Sequence, residues 1–206
     1  MIEIRLEGPN LNALGSRLMS EVRAGLQAAG GAPVLLRGAG RAFSAGLDLR
    51  ELVGLDAAGM RGFLGLLGAL CVELYTYPGP TAALIEGHAI AGGCVLALCC
   101  DVRVAADDPR VKIGLNEVAL GVRFPSVILE IARRRLASHR LDEVILGARL
   151  YSPAEAVGVG MVDALGDEEA AAPGGGRGAA GPAGGGRGRR WLASSMRGWR
   201  CGRGRS

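Results

Sequence analysis

The chain has 206 residues, 49% of them hydrophobic, enough for one substantial domain with its own core. Its net charge of +4 is misleading: eight arginines and no acidic residue follow Glu169, so what precedes them carries sixteen basic against twenty acidic side chains and is mildly acidic. No run of 18 uninterrupted apolar residues occurs and the N-terminus lacks a signal-peptide layout, so no membrane span is expected and the cytoplasm is the expected compartment.

Ile2–Leu6 alternates as a strand, and Asn10-Leu11-Asn12-Ala13 reads as a turn into a helix. Leu14, Leu18, Val22 and Leu26 recur at helical spacing, giving an amphipathic helix that ends near Gly30-Gly31. Val34-Leu35-Leu36 is a short buried strand, and residues 38–49 form a glycine-bearing loop without the spacing of a nucleotide site. Residues 60–75 make a second, apolar helix, closed by Pro78-Gly79-Pro80. Residues 83–85 end a buried strand, 94–100 are all apolar and suit a helix buried on every side, and Val102–Ala105 is a strand. This alternation predicts an α/β domain. Further on, 127–137 and 141–146 are helical, with Arg133-Arg134-Arg135 on the solvated side. Ser152, Pro153 and Glu155 form an N-cap, N1 and N3 set for a short helix over 154–157 that stops at Gly158 or Gly160. Met161-Val162-Asp163 is expected as the last strand. The five cysteines are odd in number, and three of them (Cys94, Cys99, Cys100) lie in the apolar helix with no zinc spacing. They read as buried free thiols, and no metal site is expected.

Chemistry enters at two places. Gly92-Gly93 lets the backbone bend at the start of an apolar helix, where unpaired N–H groups and the helix dipole can hold a developing oxyanion. Glu117 sits between Ile113-Gly114-Leu115-Asn116 and Val118-Ala119-Leu120. A carboxylate in such a dry setting becomes more basic, which suits proton transfer. Each feature alone is more often a tight turn or an exposed side chain; only their combination points to a site. His88 reads as packed or solvent-facing, His139 as a surface residue, Glu130 and Glu143 as helix-face residues, and Asp48 as a loop-fixing residue.

Five segments occur in an informative order: Phe43-Ser44-Ala45-Gly46-Leu47-Asp48-Leu49, Glu86-Gly87-His88-Ala89-Ile90-Ala91-Gly92-Gly93-Cys94, Asp101-Val102-Arg103, Leu115-Asn116-Glu117-Val118-Ala119-Leu120-Gly121 and Ser152-Pro153-Ala154-Glu155-Ala156. Together they resemble the crotonase superfamily, the enoyl-CoA hydratase and isomerase group, over roughly residues 1–165. The resemblance implies a spiral of β-β-α units, trimers or pairs of trimers, and an acyl-CoA thioester substrate. No separate cofactor is implied, because coenzyme A is part of the substrate. It further implies an enolate held by the Leu47 and Gly92 amides, Glu117 as the catalytic group, and a substrate surface of Ser44, Ala45, Gly46, Leu47, Asp48, Leu49, Gly92, Gly93 and Asn116. Hydratases of the group carry a second glutamate directly after the Gly-Gly-Cys turn; this sequence has Val95 there. The pattern is therefore closest to Δ3,Δ2-enoyl-CoA isomerases, with a hydratase-like or other reaction of the group as the alternative.

The reading gives an acyl-CoA-binding core over 1–167 and a Gly/Arg-rich tail over 168–206. Residues 171–206 hold twelve glycines, eight arginines and no periodic apolar pattern, a composition that predicts disorder. A genuine tail and a frameshifted C-terminal region both fit. A genuine one supplies a rival of another class, an RNA-binding or scaffold protein using basic charge, although nucleic acid is not the expected partner.

Overall fold

A computed structural model describes residues 1–121 and 124–172. Among the described residues, eight parallel-paired strands build two sheets. The larger has the order β1-β2-β4-β6-β8, comprising β1 (Ile2–Leu6), β2 (Val34–Gly38), β4 (Thr81–Ile85), β6 (Val102–Ala105) and β8 (Ala164–Leu165). The smaller has the order β3-β5-β7, with β3 (Ala42–Ser44), β5 (His88–Ile90) and β7 (Ile113–Gly114). This is the α/β class expected.

Parallel strands need crossovers, and helices supply them. Following α1 (Pro9–Asn12), a single irregular turn, α2 (Ser16–Ala29) buries Leu18, Met19, Val22 and Leu26, and ends at left-handed Gly30. α3 (Leu49–Val53) is short; α4 (Ala57–Tyr75) buries Phe63, Leu67, Leu70, Cys71 and Leu74. α4 is the one helix among the described residues long and apolar enough to cross a membrane, though that face lies in the core. Every residue of α5 (Gly92–Cys99) is buried, as its all-apolar sequence predicts. α6 (Ser126–Arg135), α7 (Leu141–Gly147) and α8 (Pro153–Val159) follow, α8 with the expected capping box on Ser152 and Glu155. Cys71, Cys94, Cys99 and Cys100 are free and buried.

Several expectations are corrected. The loop over 38–49 contains β3 and the start of α3, and β5 and β7 were not foreseen: strands of two or three residues are too short to show alternation. The last strand is Ala164–Leu165, not 161–163. Met161 and Val162 are buried, but both amides donate to Ala156 O at the end of α8, so the chain wraps the helix before Asp163 reaches the sheet. Arg135 is not solvated with its neighbours; it lies over Tyr75 at 4.8 Å and donates to Cys99 O. The core also runs past 167: α9 (Glu168–Ala171), capped by Asp167, packs Ala171 against Leu35, Ala82, Leu84 and Val104 on the larger sheet. The tail predicted to be disordered lies outside the described residues from 173 on.

Candidate active site

The three strands of the smaller sheet run parallel, and each delivers one piece of the site from its C-terminal end. β3 leads to Ala45-Gly46-Leu47, β5 to Ala91-Gly92, and β7 to Leu115-Asn116-Glu117. Ligands in open parallel sheets gather at such strand ends.

Two of these pieces touch. A Cβ added at Gly92 would lie 3.3 Å from Leu47 Cδ2 and 3.6 Å from Gly46 Cα; one added at Gly46 would lie 3.4 Å from Gly92 N. Gly46 has φ +96°, a conformation only glycine adopts freely. Ala91 is less comfortable, at φ 48° and ψ −121°. Its carbonyl accepts from Val95 N, the first bond of α5, so the Ala91–Gly92 peptide leaves the Gly92 N–H facing out of the helix N-terminus. Strain of this kind collects at functional sites. Leu47 is held by a bridge to Leu14, in which Leu14 N donates to Gly46 O and Asp48 N to Leu14 O. In that pattern the N–H of Leu47 itself points away from Leu14. Among the described residues neither the Leu47 nor the Gly92 amide has an acceptor.

Glu117 follows the third strand end. It opens a 3₁₀ turn over Val118–Leu120, half-buried, with Oε2 buried and without a hydrogen-bond partner among the described residues. Burial pushes its carboxyl up from 4.5 to about 7. Burial also pushes the Cys94 thiol, on the first turn of α5, up to about 12, and the Glu117 charge adds to that shift. β7, which leads to Glu117, pairs with β5, which leads to Gly92, with Ile90 opposite Gly114. Asn116 is half-buried, and its Oδ1 likewise lacks a partner. Val95 is 1% exposed on the same helix end.

Two other expected substrate-facing residues, Ser44 and Gly93, are buried. Ser44 is fully buried and its Oγ accepts from Gly46 N at 3.2 Å; Gly93 leaves no room for a side chain, since an added Cβ would meet Ser44 O at 2.3 Å. Both shape the turn from beneath. Asp48 accepts from Arg50 N at 3.0 Å as the cap of α3, while Ala45 is half-buried and Leu49 63% exposed. His88 Nδ1 accepts from Lys112 N; Glu130 and Glu143 pair with nearby arginines on helix surfaces. The sequence reading missed Asn12, which is 3% exposed and clamps the loop before β3 through Ala39 O and Ala42 O, both at 2.8 Å. Its only sequence signal was the Asn-Leu-Asn turn.

A family model described as enoyl-CoA hydratase/isomerase matches residues 1–171. The mitochondrial enoyl-CoA delta isomerase 1 of Mus musculus is 39% identical over 127 residues, 62% of this chain and 44% of its own length. A probable enoyl-CoA hydratase of Bacillus subtilis is 31% identical over 172 residues, 81% of this chain and 66% of its own. The crystal structure of human mitochondrial delta3-delta2-enoyl-CoA isomerase superposes with a TM-score of 0.77 at 32% identity, covering 82% of this chain and 67% of that one. The chain spans less than half the length of the delta isomerases it matches.

Proposed function

This chain belongs to the enoyl-CoA hydratase/isomerase family, and we propose that it shifts the double bond of a 3-enoyl-CoA to the 2-position with one carboxylate. Glu117 removes the proton from C2, and the C–H electron pair passes into a dienolate. The Leu47 and Gly92 amides meet the charge on the thioester oxygen, each donor contributing about 3 kcal/mol where such groups have been removed in other enzymes. The same Glu117 returns the proton to C4, leaving the double bond between C2 and C3. Substrate and product differ only in where one proton sits, so a single group that is base and then acid suffices.

The observation that carries this reading is Glu117 itself: one half-buried carboxyl held at about 7, near the working pH of a proton shuttle, with buried Val95 on the helix beside it. Hydration, the reading that hydratase-named relatives favour, requires a water to be held and activated as well as a proton delivered. Val95 has no polar atom for that water.

Assaying 3-enoyl-CoA isomerisation and 2-enoyl-CoA hydration side by side tests the choice. Isomerisation should dominate. Efficient hydration of crotonyl-CoA, with no turnover of 3-enoyl-CoA, would reverse it.

A further inference from the structure

We propose that Asn12 is a positioning residue, and that the left-handed turn over 10–12 is a splint that sets where the Leu47 amide points; this rests on the thioester reading above. Asn10, Leu11 and Asn12 have φ of +54°, +61° and +57°. Three consecutive non-glycine residues in that region are disfavoured for L-amino acids and persist only where the surroundings hold them. The holding group here is the Asn12 side chain. Its Nδ2 donates to Ala39 O and Ala42 O, both at 2.8 Å, and its Oδ1 accepts from Gly8 N at 3.1 Å. The start of β3 is thereby clipped to the N-terminal loop.

From that clip the chain runs alongside the turn after β3. Ala45 N donates to Leu11 O at 3.0 Å, Leu14 N to Gly46 O at 2.7 Å, and Asp48 N to Leu14 O at 3.1 Å. Residues on both sides of Leu47 are pinned, while its own N–H has no acceptor among the described residues. β3 ends at Ser44, so no strand of the smaller sheet holds residues 45–48. Leu14 reaches the other donor as well, its Cδ1 lying 3.2 Å from where a Gly92 Cβ would be. One segment, 11–14, thus registers both turns, and the Asn12 amide fixes that segment.

Two variants separate positioning from mere stability. Asn12→Gly keeps a backbone that accepts positive φ and removes the side-chain bonds. Asn12→Asp keeps the Oδ1 acceptor but turns a carboxylate oxygen toward two carbonyls. Each is studied well below its melting temperature by three readouts: kcat, KM with a 3-enoyl-CoA, and the near-ultraviolet band of bound acetoacetyl-CoA, whose enolate fraction rises where donors meet its oxygen. A displacement on the order of 1 Å costs ~10²-fold in rate. We expect kcat to fall by about that factor, KM to move less than about threefold, and the enolate band to shrink. A lower melting temperature with unchanged kcat and enolate band, in whichever variant folds, overturns the proposal. Parent protein that neither turns over 3-enoyl-CoA nor gives the enolate band sinks the thioester reading instead.

Discussion

The two sheets are made by the same pairing and put to opposite uses. The larger one has strands of five, five, five, four and two residues. Its central strand β4 is buried throughout, with Ala83 and Ile85 in the main core and Ala82 and Leu84 packed with Leu35, Val104 and α9. Arg103 and Asp163 lock its β6–β8 edge with paired bonds at 2.9 and 2.6 Å. The smaller sheet has strands of three, three and two residues, with a register shift between Ala42 and Ser44. It places Phe43, Ala89 and Ile113 in the main core, and its strand ends lead to the groups the proposed chemistry uses. Strained Ala91, left-handed Gly46 and the turn over 10–12 all lie around it. Regularity stabilises the larger sheet; the short sheet stops early, and neighbouring segments hold the turns that its ladder does not.

Paired substitutions break the comparison most sharply. Glu117→Gln keeps shape and removes the proton shuttle, so kcat should fall by about 10²–10⁴ while the melting temperature barely moves. Leu84→Ala, on the face of the larger sheet that packs against α9, should do the reverse: a loss of about 2–5 kcal/mol of stability with kcat per folded molecule unchanged. Glu117→Gln within threefold of the parent would remove Glu117 from the mechanism.

A smaller effect is expected at Val95. Val95→Glu puts a second carboxyl on the α5 N-terminus near the first, and burying it is costly. If the protein still folds, the ratio of hydration to isomerisation should rise by ~10² or more, within the usual range of a positioned acid–base group. Direct product analysis on both substrates reads this ratio, and an unchanged ratio in a folded variant would mean that Val95 does not decide between the reactions.

Next comes pH. Burial raises the Glu117 carboxyl from 4.5 to about 7, so between these values the folded chain binds more protons than the unfolded one. This group's stabilising contribution is therefore full below about 4.5 and declines as pH rises through about 7, opposite to an ion-paired carboxylate. Activity runs the other way, because proton abstraction needs the ionised form. kcat/KM should climb about tenfold per pH unit below about 7 and then level off. In Glu117→Gln this part of the stability slope should vanish. A flat kcat/KM profile from about pH 5 to about pH 8 would show that Glu117 is not the titrating base.

The two regions were not equally legible in the sequence. β1, β2, β4 and β6 announce themselves as apolar runs, and α2 and α5 as an amphipathic and an all-apolar helix, because burial on long elements writes a pattern many residues long. β3, β5 and β7 write none. The segments around Leu47, Gly92 and Glu117 stood out through glycines, one isolated carboxylate and a family resemblance, and the structure brings all three to one sheet edge. What stayed hidden depends on contacts far apart in the chain: Asn12 reaching Ala42, Leu14 bridging Leu47, Gly93 pressed on Ser44. No local pattern encodes a hydrogen bond across thirty residues.

The smallest expected effect distinguishes shape from charge inside the site loop. Asp48 follows Leu47 directly, and its carboxylate accepts from Arg50 N at the start of α3. An acidic group one residue from an oxyanion donor invites a catalytic role, yet its hydrogen bond makes it a cap, as the loop-fixing reading expects. Asp48→Asn retains a capping oxygen and discards the charge; Asp48→Ala discards both. Replacing a cap by alanine costs ~1 kcal/mol, here in a one-turn helix that Glu51 also ties to Ser16 N at 2.9 Å. Asp48→Asn should therefore leave kcat and KM within about twofold of the parent, while Asp48→Ala loosens α3 and lowers kcat severalfold through the position of Leu47. Steady-state kinetics on the two variants decides the point. A loss of ~10² or more in Asp48→Asn would mean that the negative charge itself acts on the substrate, and the site would then have two working carboxylates, not one.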